Sequence, residues 1–247
     1  SPDDAPPGAA AGCGLVGSNQ GSGLSLIETF VGGDFSSLLH PDESGNIDMT
    51  LLVHADGWDG MSMLPSSVHL QLLFGDQEAP GVTDRFVVSS STFPNRDPEL
   101  PSQVFFPNTQ VQPNGYFETL AADVPITFSL SSDFNATMVI SSAIVRGRLS
   151  ADPPGLRVDE GMVTGYFSDA TVEQVVIGLQ QLCNVPDPAS YCNALNIVLN
   201  PSKPVSESAA LLAQLLGGYD SQVSGFEAFP CSGSDRNAIS ICWLFPA

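Results

Sequence analysis

From about residue 23 to residue 168, apolar and polar positions alternate in short runs separated by Pro, Gly, Asn and Asp. A period of two with turn residues between runs is the pattern of half-buried β-strands. Ile47–His54 is one such run; the loop Ala55–Gly60 follows, then a second run at Ser67–Phe74. The spacing predicts two antiparallel neighbours. Arg85–Ser90, Gln103–Phe106, Val124–Leu130, Thr137–Leu149 and Met162–Phe167 read as further strands. Pro94, Pro98, Pro101, Pro107 and Pro113 crowd one region, which reads as a long surface excursion because proline cannot donate to a central ladder. Many short strands with such turns predict a β-sandwich or jelly roll.

The period then changes. In Thr171–Cys183, Val172, Val175, Val176, Leu179, Leu182 and Cys183 recur at helical spacing, with Ser168 or Asp169 placed to cap the start. Asp187-Pro188 predicts a second helix to about Leu199, ended by Asn200-Pro201. Ser206 is placed to cap a third helix, which carries Leu211, Leu212, Leu215 and Leu216 and stops at Gly217-Gly218. The apolar run Ala238–Phe245 reads as a strand buried in the sheet, pairing with a strand from the first half of the chain. The predicted fold is therefore mainly β: one sandwich or jelly-roll-like domain over residues 23–247, with a helical insertion at about 169–218 before the last strand. Residues 1–22, rich in Pro, Ala and Gly, read as a flexible tether.

Five cysteines stand at positions 13, 183, 192, 231 and 242, with no CxxC spacing and three histidines in the whole chain. That favours disulfides over a zinc site or an attached haem. Cys183 with Cys192 and Cys231 with Cys242 would each close a short loop; Cys13 is then left over, and it can also displace one of the others. Disulfides point to an extracytoplasmic compartment. The start of the chain lacks a basic, apolar leader, so any export signal is expected to have been removed.

Charge narrows the partners. The chain carries 27 Asp and Glu against 7 Lys and Arg, a net charge of −20. Nucleic acid is excluded as a partner, because phosphate binding needs a basic stripe. The acidity is read as a means of staying soluble outside the cell rather than as a site.

Ala143–Asp152, then Val158–Tyr166, then helices with paired cysteines and a closing Asn237–Ile241, resemble a group of uncharacterised secreted lipoproteins of myxobacteria over roughly the last 110 residues. The resemblance implies export and a lipid anchor, and a turn that joins two strands leading into the helices. It brings no catalytic residues. In physical terms, Gly147, Gly161 and Gly165 would let strands twist or approach another backbone closely.

Candidate chemistry is thin. The nearest approach to a nucleophile elbow, Gly60–Leu64 around Ser62, lacks the second glycine, and Ser62 with His54 or His69 is a weak hydrolytic pair. Lys203 lies beside Pro204 with nothing to depress its pKa. His54 and His69 fall on neighbouring strands, so a shared metal is weighed against separate surface histidines. Asp42, Ser44, Asn46 and Asp48 place oxygen side chains at alternate positions, as calcium loops do, with Asp42, Asn46 and Asp48 the candidate ligands and Asp56 and Asp59 in a second acidic loop. A turn entering a strand explains both equally well. The acidic pairs Asp42-Glu43 and Asp159-Glu160 are also weighed as glycosidase carboxylates. Trp58, on the loop Asp56–Gly60, either caps one end of the sandwich or stacks on a sugar or partner. The expected function is a non-catalytic exported or cell-surface structural or interaction protein with a protein partner, as a lipid-anchored subunit of a larger assembly. The alternatives are a calcium-dependent carbohydrate-binding module and a hydrolase of unfamiliar architecture.

Overall fold

In the computed structural model the residues described are 43–47, 50–60, 64–82, 85–131, 134–152, 155–185, 192, 200, 203–215, 218–224, 227–229 and 235–245. The predicted tether, the helix expected over 187–199 apart from Cys192, and Cys13 and Cys231 lie outside them. The fold is mainly β and sandwich-like, with helices inserted before the last strand, as the sequence pattern predicts. The strands are β1 (Thr50–Asp56), β2 (Ser66–Gln77), β3 (Phe86–Val88), β4 (Val104–Val111), β5 (Tyr116–Glu118), β6 (Ala122–Ser131), β7 (Phe134–Asp152), β8 (Gly155–Ser168), β9 (Gln222–Ser224), β10 (Glu227–Phe229) and β11 (Ala238–Phe245). Two helices, α1 (Asp169–Cys183) and α2 (Val205–Leu215), lie between β8 and β9. The main sheet runs β1-β2-β4-β5-β7-β8-β11, with β3 on β2 and β6 on β7. The terminal strand thus pairs with β8, the last strand before the helices, and not with a strand from the first half of the chain as expected.

The chain divides into two compact units: residues 38–124, 142–164 and 243–247 in one, and residues 1–37, 125–141 and 165–242 in the other. In the first, β1 and β2 pair antiparallel with Leu52 opposite Leu73 and His54 opposite Gln71. Val68, Leu70, Val104, Phe106, Val111, Phe117, Val145 and Leu149 form its buried interior. The strand β4 continues through Pro107, which corrects the expected proline-rich excursion over 94–113. The reason is a β-bulge. Val68 pairs with Thr109 and Leu70 with Phe106, so Pro107 and Asn108 together face His69. Proline is tolerated where the ladder is already broken, and Asn108 takes a left-handed conformation, with φ 55°, which asparagine adopts more readily than most residues. The extra residue also resets the alternation: Val104 and Phe106 point inward before it, Thr109 and Val111 after it. The excursion itself spans only two short 3-10 turns, Ser90–Thr92 and Pro94–Arg96. It is fastened by Thr92 Oγ1, which accepts from the Phe74 N–H at 2.9 Å, and by Gln71 Oε1, which accepts from the Ser102 N–H at 2.8 Å.

In the second unit, Ser168 caps α1 as predicted, its Oγ accepting from the Thr171 N–H at 3.2 Å. The apolar stripe Val172, Val176 and Leu179 packs on Ala209, Leu212 and Ala213 of α2 and on Ile239 of β11. The alanines are four residues apart on α2, on one helical face, which lets the two helices approach closely. Helix α2 begins at Val205, so Ser206 lies in its first turn rather than at its cap; the Pro204 carbonyl accepts there from the Glu207 and Ser208 N–H groups. Cys183 and Cys192 are joined in a disulfide, as the spacing predicts.

Candidate functional site

Of the residues singled out from sequence, Asp42, Asp48 and Ser62 lie outside the described residues. Asn46 belongs to the segment Glu43–Ile47, which Gln77 holds against the end of β2. Gln77 Oε1 accepts from the Ile47 N–H at 2.9 Å, and its Nε2 donates to the Gly45 and Val82 carbonyls at 2.8 and 2.9 Å. Among the described residues no group of three or more His, Cys, Asp or Glu side chains is placed to hold a metal ion.

His54 and His69 are on one face of the sheet, since directly opposed residues of an antiparallel pair point the same way and His54 opposes Gln71 while Asp56 opposes His69. His69 has a local structural role. Its ring lies 5.7 Å from that of Phe105, and its Nδ1 accepts from the N–H of bulged Asn108 at 3.4 Å. That is the backbone donor the bulge removes from the ladder. The adjacent acids Asp159 and Glu160 serve different neighbours: Asp159 pairs with Arg157 at 2.9 Å, whereas Glu160 faces Arg148 at 3.7 Å. Lys203 pairs with Glu207 at 2.7 Å across one turn of α2.

The fold places Trp58 in a concave site. The indole is half-buried and lines a depression of about 190 Å³, walled by Gly60, Leu64 and Ser66 on one side, the turn Gln112–Gly115 on another, and Leu149–Ala151 on a third. Gly57 and Gly60 bracket Trp58-Asp59 with φ of 86° and 72°, a reversal that side-chain-bearing residues resist. The reversal lays the indole against Gly60, whose missing Cβ would sit 3.7 Å from Trp58 Cη2. The ring thus lies over the space a side chain at Gly60 would occupy.

The floor is built by the hairpin between β4 and β5. The Gly115 N–H donates to the Gln112 carbonyl at 2.8 Å, the Gln112 N–H donates to the Tyr116 carbonyl at 2.8 Å, and Gly115 has φ 82°. This is a three-residue hairpin loop with glycine at its left-handed position. Asn114 Oδ1 accepts from the Tyr116 N–H at 3.1 Å, which fixes the amide and leaves its Nδ2 hydrogens as donors. The turn is stitched to β7 where the Leu149 N–H donates to the Gly115 carbonyl at 2.9 Å. On β7, Ser150 Oγ donates its proton to Asp159 Oδ2 and accepts from Arg157 Nε at 3.3 Å. A hydroxyl has two lone pairs and one proton, so toward a ligand Ser150 presents only an acceptor.

Sequence reasoning found Trp58 but not its neighbours, which stand roughly 50 to 90 residues further along. A signal for them was present. Asn114-Gly115 between apolar runs is a strong short-range mark of a hairpin, and it identifies the turn that forms the floor.

Fold and site together define a mainly β protein with a polar depression lined in part by a tryptophan. Comparisons with protein-family models, curated proteins and solved structures return no match to this chain.

Proposed function

We propose that this chain is an exported, non-catalytic recognition protein that contacts its partner through the Trp58 depression. The observation that carries the reading is the placement of Trp58: a half-buried indole at the wall of a concave, polar site. Tryptophan offers a large contact area at low conformational-entropy cost, and it is enriched among residues that dominate binding. The Cys183–Cys192 disulfide supports an oxidising compartment. The resemblance to secreted lipoproteins supports a lipid anchor and a place on the cell surface beside other components.

The experiment is cosedimentation of the purified protein with the envelope fraction of its source cell, alongside mass spectrometry of the protein taken from that cell. The reading expects the protein to pellet with the envelope, to lose that behaviour on Trp58→Ala, and to carry Cys183 and Cys192 oxidised. Unchanged sedimentation of Trp58→Ala, or a native population with both thiols free, overturns it.

A further inference from the structure

We infer that the Trp58 depression takes one ring of a neutral carbohydrate, with Asn114 and Ser150 as its hydrogen-bonding residues. The inference rests on the recognition reading above and names the chemistry of the ligand. Size comes first. A volume of about 190 Å³ is below the roughly 300–1,000 Å³ of pockets that enclose drug-sized molecules. It suits a single ring and is too small for a folded peptide segment or a nucleotide.

The lining comes next. The depression is lined by Trp58 together with Ser66, Gln112, Asn114 and Ser150 and its wall is mainly polar, so a purely apolar ligand would desolvate polar groups without replacing their hydrogen bonds. Because Asn114 Oδ1 is committed to the Tyr116 N–H, the residue offers donors. Because the Ser150 proton is committed to Asp159, that residue offers an acceptor. A donor and an acceptor set around an aromatic wall match a ring that bears hydroxyl groups on its rim and C–H groups on its face. Each hydroxyl both gives and takes a hydrogen bond, and the C–H face lies on the indole.

Charge selects among sugars. Next to Ser150 the Asp159 carboxylate is balanced by Arg157 at 2.9 Å, so it is the overall charge of −20 that sets uronates and sulfated sugars against a repulsion a neutral ring does not meet.

The test is native affinity electrophoresis through gels containing a soluble neutral polysaccharide (dextran, galactomannan, xyloglucan or soluble starch), with alginate and polygalacturonate as charged controls. Binding to the envelope fraction is followed in parallel. Asn114→Asp keeps the oxygen that accepts from Tyr116 but removes the donors, and Ser150→Ala removes the acceptor. Unchanged melting temperatures show that each variant is folded. The expected result is retardation by at least one neutral polysaccharide, weakened about tenfold or more by Trp58→Ala and about three- to tenfold by Asn114→Asp and by Ser150→Ala. Retardation only by alginate or polygalacturonate overturns the inference, as does retardation indifferent to Asn114→Asp and Ser150→Ala. If no polysaccharide retards the protein while Trp58→Ala still abolishes envelope binding, the sugar inference falls and the recognition reading stands. If Trp58→Ala changes neither measurement, both fall.

Discussion

The turn that floors the depression makes a quantitative prediction through Gly115. At φ 82° a side chain suffers left-handed strain, and a Cβ there would collide with the Leu149 carbonyl oxygen. That oxygen is not free to retreat, because the neighbouring Leu149 N–H is bonded to the Gly115 carbonyl at 2.9 Å. Gly57 provides the comparison within the same unit: its φ is 86°, but the nearest atom to its missing Cβ is the Ser67 carbonyl oxygen at an ordinary 3.7 Å. Both Gly→Ala changes share the left-handed strain of about 1–2 kcal/mol, offset by about 0.4–1 kcal/mol from the stiffer unfolded chain. Only Gly115→Ala adds overpacking against backbone, about 1–3 kcal/mol. Urea unfolding followed by tryptophan fluorescence should therefore place Gly115→Ala about 1–3 kcal/mol below Gly57→Ala at an unchanged slope. Equal losses for the two variants would refute the stitched turn, and with it the floor of the site.

Replacing Cys183 and Cys192 by Ala should lower stability by roughly 2–3 kcal/mol through the loop of nine-residue separation it opens; a melting temperature equal to that of the parent under oxidising conditions would contradict this. Glu118 pairs at 2.7 Å with Arg146, whose side chain is only 9% exposed and whose Nη1 is buried without a protein partner. Glu118→Ala should thus cost about 2–4 kcal/mol by stranding a buried cation, whereas Glu78→Ala, which breaks the exposed pair with Arg85, should cost less than about 1 kcal/mol; denaturant titration of the two variants decides it. Tyr219 is pushed up to about 12 by burial and then by the carboxylates of Asp169 and Glu173. Its phenol keeps its proton in the folded state after the unfolded state has begun to lose its own near pH 10, so the stability it contributes is complete below that pH and is lost between about pH 10 and 12. Tyr219→Phe should remove a late absorbance rise on alkaline titration and flatten the fall in stability over that window; a parent-like titration curve would count against the assignment.

The elements that were legible in the sequence are those whose signal is local and repeated. Val172, Val176 and Leu179 mark the buried face of α1 in full, and Ser168 marks its start. The β1–β2 pairing followed from two alternating runs. Legibility failed where one residue alters the phase. Pro107 reads as a breaker, yet the bulge it shares with Asn108 lets β4 continue with its inward positions shifted from even to odd numbers. Strand β5 was missed because Tyr116-Phe117-Glu118 is too short to show a period, and Phe117 alone enters the core. The site follows the same logic. Trp58 stands out as an aromatic between glycines, but Asn114 and Ser150 are ordinary polar residues until a hairpin and a long strand bring them to it. The ion pair behind Ser150 was equally hidden, since Asp159 reads first as half of an acidic pair and only its position on β8 gives it Arg157 and Ser150 as partners.

The most direct test of the account is the dissociation constant of Trp58→Ala for the envelope fraction, measured beside that of the parent protein. Truncating a dominant tryptophan contact costs about 2 kcal/mol or more, so the account predicts a constant raised by roughly thirtyfold with folding unchanged. A folded Trp58→Ala protein that binds as tightly as the parent would contradict it.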